Sequence, residues 1–190
     1  MFSTTIKSDE IEFGRCNKNL LEDVISYGIN LGADFVELFI ENTDNSSVLA
    51  EEDFITSVNP SFGRGAGVRI FKDKRDGFVS TNDLSKKGLM RSVSQAIEML
   101  DISNNSNKKV FSGLTKLKNY SSTKNNWIKD IPSLHEISEK LLLSTSCLKN
   151  KKIIVRKGSY SRNWQEIIIA SSDGTYVTDI RLHQTVGLTA

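Results

Sequence analysis

The chain contains two histidines, His135 and His183, and the first has the neighbour a zinc peptidase would need. In a zinc-binding helix two histidines share a face with a glutamate between them, the metal polarising a carbonyl while the glutamate acts as base. His135-Glu136 has those residue types, but Glu139 stands where the second histidine is required and Lys140 follows it. Ser133-Leu134-His135-Glu136 reads instead as a helix start, Ser133 being the N-cap and Glu136 closing a capping box three residues on. A three-histidine site within the chain is excluded. Asp179, Arg181 and His183 alternate along one face of a strand pattern, yet no nucleophile accompanies them, and the solvated face of a strand produces such triplets routinely. Cys147 falls inside a helix near its apolar face and reads as a small core hydrophobe. Cys16 precedes the first helix at a position open to solvent, without a neighbouring base to activate it.

Gly63-Arg64-Gly65-Ala66-Gly67 is the one glycine-rich stretch. A phosphate loop needs a helix N-terminus behind it, whereas a strand pattern follows here and Val68 occupies the next glycine position of a dinucleotide fingerprint. Two readings remain. Alternate glycines at the start of a strand permit a bulge or a close backbone neighbour. Alternatively, the close approach is to a bound peptide or another domain. Lys108, Lys109, Lys116, Lys118, Lys124 and Lys129 are interleaved with Phe111, Tyr120 and Trp127, the mixture used by single-stranded nucleic-acid sites. A solvated connector explains the same residues, and 25 Lys+Arg against 23 Asp+Glu leave a formal charge of only +2, so nucleic acid is not the expected partner.

The elements that would position these residues follow from periodicity. Residues 1–15 form a lead-in without a period. Asn17 caps a helix whose apolar stripe is Leu20, Leu21, Val24, Ile25 and Leu31, closed by Gly32. Val36, Leu38 and Ile40 alternate with glutamates in a half-buried strand; Asn42 to Ser47 is a polar turn, and Val48-Leu49-Ala50 resumes the sheet. Phe54 to Val58 is a strand ending at Asn59-Pro60, Ala66 to Phe71 another, and Lys74-Arg75-Asp76-Gly77, with its Asp-Gly hairpin signal, turns the chain into Phe78-Val79-Ser80. Ser85 caps a second helix bearing Leu89, Met90, Val93, Ala96, Ile97 and Leu100. Asp and Glu are absent from Asn104 to Lys129, which marks a connector. Beyond it come the helix from Ser133, with Leu134, Ile137, Leu141 and Leu148 on its apolar face, and strands at Ile153 to Arg156 and around Trp164 to Ala170. A hairpin at Asp173-Gly174 leads into a long alternating strand with Tyr176, Thr178, Ile180 and Leu182 on one side. The fold expected is α+β, helices packed on largely antiparallel sheets in two units: 1–102, a connector 103–132, and 133–190. The strand pattern is still running at Gly187-Leu188-Thr189-Ala190, so 133–190 reads as the beginning of a larger β-rich domain.

Two cysteines cannot build a disulfide framework, residues 1–20 lack a signal-peptide apolar core, and no apolar run is long enough for a membrane helix. The expectation is a reduced, cytoplasmic protein with no membrane partner.

The order of elements adds a resemblance. Gly32-Ala33-Asp34-Phe35-Val36-Glu37-Leu38, Gly65-Ala66-Gly67-Val68-Arg69-Ile70 and Gly77-Phe78-Val79-Ser80-Thr81-Asn82-Asp83-Leu84-Ser85 resemble the N-terminal region of the TldD/PmbA family, closer to its TldD branch. Asp173-Gly174-Thr175-Tyr176, with Asp179 and Arg181, resembles the family's central segment. Members are cytoplasmic zinc-dependent peptidases, first named modulators of DNA gyrase, which act on unfolded or modified peptides. The TldD-type subunit carries an H-E-x-x-x-H helix in its later part and pairs with a PmbA-type (TldE) subunit. No position here matches that motif, so the resemblance implies no catalytic or metal residue in this chain and places zinc in a missing C-terminal part. It implies a region that shapes a substrate channel and a subunit interface, with an unfolded peptide and a homologous subunit or second copy as partners. Gly65, Gly67 and Arg69 match the family's G-x-G-V-R run, implying peptide contact or close approach, with a sheet-stabilising role as the alternative. A stand-alone peptide- or partner-binding module is the other functional reading, and a nucleic-acid-associated regulator the weaker one.

Overall fold

The computed structural model describes residues 16–100, 110–116 and 131–190. In chain order the elements are α1 (Lys18–Asn30), β1 (Phe35–Glu51), β2 (Phe54–Lys72), β3 (Arg75–Thr81), α2 (Lys86–Met99), β4 (Thr115–Lys116), α3 (Leu134–Cys147), β5 (Lys157–Ser171) and β6 (Thr175–Thr189). The sheet order is β3-β2-β1-β5-β6-β4; five strands are antiparallel, and the two-residue β4 joins β6 in parallel. The fold is α+β, as expected. Among the described residues no helix is long and apolar enough to cross a membrane. The lead-in 1–15 and the connector residues 103–109 and 117–130, with Lys108, Lys109, Lys118, Tyr120, Lys124, Trp127 and Lys129, lie outside the described residues.

The described residues form two compact units. The first draws on residues 16–42, 64–100, 110–116 and 166–179, the second on residues 43–63, 131–165 and 180–190.

In the first unit α1 and α2 start where short polar side chains can accept otherwise unpaired N–H groups: Asn17 accepts from Leu20 N, and Ser85 from Gly88 N. Gly32 follows α1 in the left-handed region at φ 101°. Leu21, Val24, Ile25 and Ile29 of α1, with Leu89, Val93 and Ala96 of α2, pack on Val36, Leu38, Ile40, Val68, Ile70 and Ile168 in one core. Two glycines bring helix and strand together. A Cβ on Gly28 would lie 2.8 Å from Val36 Cγ2, and one on Gly77 would lie 2.6 Å from the Ala96 carbonyl oxygen.

Four sequence expectations are corrected. The turn comes earlier than the expected Lys74-Arg75-Asp76-Gly77: its corner is Asp73-Lys74, both with positive φ (48° and 65°), closed by the Lys72↔Arg75 pair, and Arg75, Asp76 and Gly77 are already strand. Asp34 stabilises it, accepting from Asp73 N at 3.1 Å and from Lys72 Nζ at 3.3 Å, while Gly77 serves α2 instead. Asn42 to Ser47 is not a turn; β1 runs through it, because side chains of β5 supply polar partners across the ladder. Arg162 reaches Asp44 and Ser46, and Asn163 donates to Asn45. Nor does the strand end at Asn59-Pro60. β3 pairs only with Ala66–Lys72, leaving the Phe54–Gly63 half of β2 with β1 as its sole neighbour among the described residues; proline is tolerated on such an edge. Ile153 to Arg156 is not a strand: Ile154 is exposed, and β5 begins only at Lys157.

In the second unit α3 opens on the capping box read from sequence: Ser133 Oγ accepts from Glu136 N at 3.2 Å, and Glu136 Oε2 accepts from Ser133 N at 2.8 Å. Its core is small, Val48, Ala50, Leu141 and Tyr160 with partly buried Ile55, Leu134, Ile137 and Leu142. Arg156, its side chain only 6 % exposed, binds Glu52, reaches Asp53 at 3.4 Å, and donates to the Thr145 carbonyl at 3.1 Å in the last turn of α3. A guanidinium there gives the Thr145 carbonyl, which also accepts from Leu148 N, a second donor and faces the negative end of the helix dipole.

Candidate functional site

Gly65, Gly67 and Arg69 occupy alternate positions of β2 on the face opposite Ala66, Val68 and Ile70, which are buried under the helices. The space each glycine leaves is used within the chain. A Cβ at Gly65 would stand 3.1 Å from the Thr81 carbonyl oxygen and from Asn82 Oδ1; at Gly67 it would stand 2.9 Å from the Phe78 ring. Arg69 sits opposite Phe78 in the β2–β3 ladder. Its Nε and Nη2 reach Asp76 Oδ2 at 3.1 and 3.0 Å, and its guanidinium lies 4.7 Å from the centre of the Phe71 ring. Phe71 meets Phe35 edge-on at 5.8 Å. The three residues therefore share one aromatic and charged patch, from which Phe78 projects 58 % exposed.

The other chemistry-bearing residues are dispersed. His135 is exposed at the start of α3, with Glu139 one turn on, 3.6 Å away. Asp179, Arg181 and His183 take alternate positions along β6. The two thiols exchange the places expected of them. Cys16 is buried, donating to the Leu84 carbonyl; burial pushes its thiol above the ordinary value, and the nearby Arg64 only partly opposes this. Cys147 is exposed at the end of α3, where the buried positions are Leu141 and Thr145. Among the described residues no group of three or more His, Cys, Asp or Glu side chains could hold a metal ion. The described part of the chain does not fit a zinc centre, and no catalytic step is derived through one.

A concave site that the motif search missed lies in the second unit, with a volume of about 370 Å³. β1 lines it with Asn45 and Ser47, and β2 with Asn59 and Ser61. β5 adds Ser161 and Asn163, and β6 adds His183 and Thr185. Each strand thus contributes a polar pair at i and i+2, the spacing that puts both side chains on one face. That repeated spacing was the available sequence signal. Ser46 and Arg162 border the groove from the intervening positions; the Arg162 side chain, 13 % exposed, turns to the other face, where its Nη2 makes long contacts to Asp44 (3.4 Å) and Ser46 (3.3 Å) and its buried Nε has no hydrogen-bond partner among the described residues.

Comparison with known proteins gives this architecture its relatives. The family patterns described as PmbA/TldA metallopeptidase domain 1 and PmbA/TldA metallopeptidase central domain match residues 36–100 and 82–190. No curated protein sequence matches the chain. Among solved structures, a protein described as a modulator of DNA gyrase from Bacteroides thetaiotaomicron superposes with a TM-score of 0.66 at 17 % identity, covering 90 % of this chain and 40 % of that one. TldE from Thermococcus kodakarensis gives 0.64 at 18 % identity over 89 % and 39 %, and a Thermotoga maritima protein described as a modulator of DNA gyrase gives 0.67 at 13 % over 88 % and 38 %. The chain spans about two fifths of the length of these structures. Carrying both domain patterns on the fold they describe, the chain belongs to the PmbA/TldD metallopeptidase family and comprises its first and central domain regions.

Proposed function

We propose that the chain is the non-catalytic, N-terminal portion of a TldD-type zinc metallopeptidase acting in the cytoplasm on unfolded or modified peptides. In this reading it shapes the channel that admits the substrate and builds the interface with a homologous PmbA/TldE-type subunit or a second copy, while zinc belongs to the part of the protein that follows. The observation that carries the reading is the pair of domain matches, which together run from residue 36 to residue 190. Gly65, Gly67 and Arg69 then serve close approach to peptide or partner, with Phe78 as the exposed ring beside them. The experiment is to measure zinc and hydrolysis of an unfolded casein substrate for the 190-residue chain and for the product of its whole open reading frame. The expected result is neither zinc nor hydrolysis for the chain, and chelator-sensitive hydrolysis for the whole product. Hydrolysis by the chain alone, or a whole product without zinc, would overturn it.

One observation favours the second reading, a peptide- or partner-binding module that acts without peptidase chemistry. The Phe54–Gly63 half of β2 is a sheet edge among the described residues, and Phe54, Val58 and Phe62 lie on one of its faces, 73 %, 44 % and 75 % exposed. Such edges accept an extended strand through main-chain hydrogen bonds, alternate side chains filling the flanking surface.

A further inference from the structure

The later part of β6 carries a row of side chains that is its own complement. Its even-numbered residues from Ile180 to Leu188 are Ile180, Leu182, Gln184, Val186 and Leu188, two apolar residues on each side of Gln184. Side chains alternate along a strand, so all five lie on one face. Two contacts with β5 hold that alternation in step. Gln184 Oε1 accepts from the Tyr160 hydroxyl at 2.9 Å, and a Cβ on Gly187 would stand 2.7 Å from Ser159 Oγ. The row begins buried and ends bare: Ile180 is 5 % exposed, Val186 65 % and Leu188 47 %.

The outer edge of this stretch has no strand beside it among the described residues, since β4 pairs only with Thr175 and Tyr176. There Thr115 N donates to the outward carbonyl of Gly174. The N–H and C=O groups of a strand residue point to the same side, and the side alternates, so Tyr176 and each even-numbered residue after it face outward. The residues of the palindromic row are therefore the ones that offer main-chain hydrogen bonds to a new neighbour. Neither proline nor glycine stands among them to interrupt a ladder.

Antiparallel pairing with an identical strand about a two-fold axis at Gln184 sets Ile180 against Leu188 and Leu182 against Val186, once on each side of the axis. The two Gln184 amides face each other. On the other face Arg181 meets Gly187 and His183 meets Thr185, so no like charges are opposed. Moving the axis by one residue in either direction sets Gln184 against Leu182 or Val186 and spoils the match.

We propose that a second copy of this chain docks on the outer edge of β6, the two edges pairing antiparallel about Gln184 in a two-fold dimer. The proposal rests on the part of the reading above that gives the chain a second copy as partner, and names the surface that partner takes.

The test is sedimentation equilibrium of the 190-residue chain over about a hundredfold range of concentration. The mass is expected to rise with concentration from the 21.2 kDa of one chain to twice that value, and no further. Gln184→Lys and Gln184→Glu each bring like charges together at the axis, and each alone is expected to stay monomeric. Mixed in equal amounts, the two variants are expected to regain the dimer, which removes misfolding as the cause of the loss. A chain that is monomeric at every concentration, a dimer that survives either single change, or a mixture that stays monomeric would overturn the proposal. Growth beyond two copies that persists in Gln184→Lys would place the contact on another surface and overturn it as well. The peptidase reading fails separately: a whole open reading frame product without hydrolysis would remove that reading and leave the dimer standing.

Discussion

The two units cover one sheet face each by different means. In the first, two helices bury a continuous apolar core in which Leu21, Val24, Ile25, Val36, Leu38, Ile40, Val68, Ile70, Leu89 and Val93 are wholly inaccessible, and glycines let the helices come close. In the second, one helix contributes Leu141 to a small core with Val48, Ala50 and Tyr160, and much of the remaining cohesion is polar: Arg156 with Glu52 and Asp53, Arg162 with Asp44, Asn163 with Asn45. Apolar burial is strong and indifferent to partner geometry, whereas a polar network is satisfied only by particular neighbours. The first unit carries the larger apolar core, with the Gly65, Gly67, Arg69 and Phe78 patch on the open face of its strands. The second has the groove, the open edge of β2 and the exposed rings of Phe54 and Phe62.

Leu38→Ala should break this contrast most severely. The side chain is fully buried, and its removal is expected to cost about 2–5 kcal/mol in urea unfolding, more than Leu141→Ala in the smaller core. Equal losses at the two positions would contradict the difference between the units. Gly77→Ala follows, at about 1–3 kcal/mol, because the new methyl group meets the backbone of α2 and not a movable side chain. Removing the α3 cap with Ser133→Ala should cost about 1 kcal/mol, read as a fall in melting temperature.

Acid should weaken the second unit's ion network. Hydrogen bonds from Arg156 hold the carboxyls of Glu52 and Asp53 below their ordinary values. A carboxyl whose folded pKa is depressed stabilises fully above its unfolded pKa, and that contribution is lost as pH falls through the folded one. The melting temperature should therefore drop as pH falls below the ordinary carboxylate range, and Arg156→Met should lower it at neutral pH while flattening the acid slope. An unchanged slope in that variant would show that the network does not govern acid sensitivity. Gly67→Ala is the mildest change, within about 0.5 kcal/mol, since the ring it meets is exposed and free to move.

The helices are readable because their signals are local. Asn17, Ser85 and Ser133 cap the helices the sequence predicts for them, and the 3.6-residue stripes of α1 and α2 form the core of the first unit. The misreadings share a cause: tertiary partners overruled local propensity. Asn42 to Ser47 has the composition of a turn, yet Arg162 and Asn163, more than a hundred residues away, make it strand. Asp76-Gly77 has the composition of a hairpin turn, but Asp34 holds the turn three residues earlier and the glycine is needed beneath α2. The groove was legible only in hindsight of register. Asn45/Ser47, Asn59/Ser61, Ser161/Asn163 and His183/Thr185 repeat one spacing, but a spacing of two carries meaning only once the strand is known to be one.

Native-state hydrogen exchange of the 190-residue chain tests the contrast between the two units most directly. The account predicts the slowest exchange in α1, α2 and the first half of β1, around the larger apolar core, and faster exchange in α3 and in residues 43–63, around the smaller one. Equal protection of the two units, or slower exchange in α3 than in α1 and α2, would contradict it.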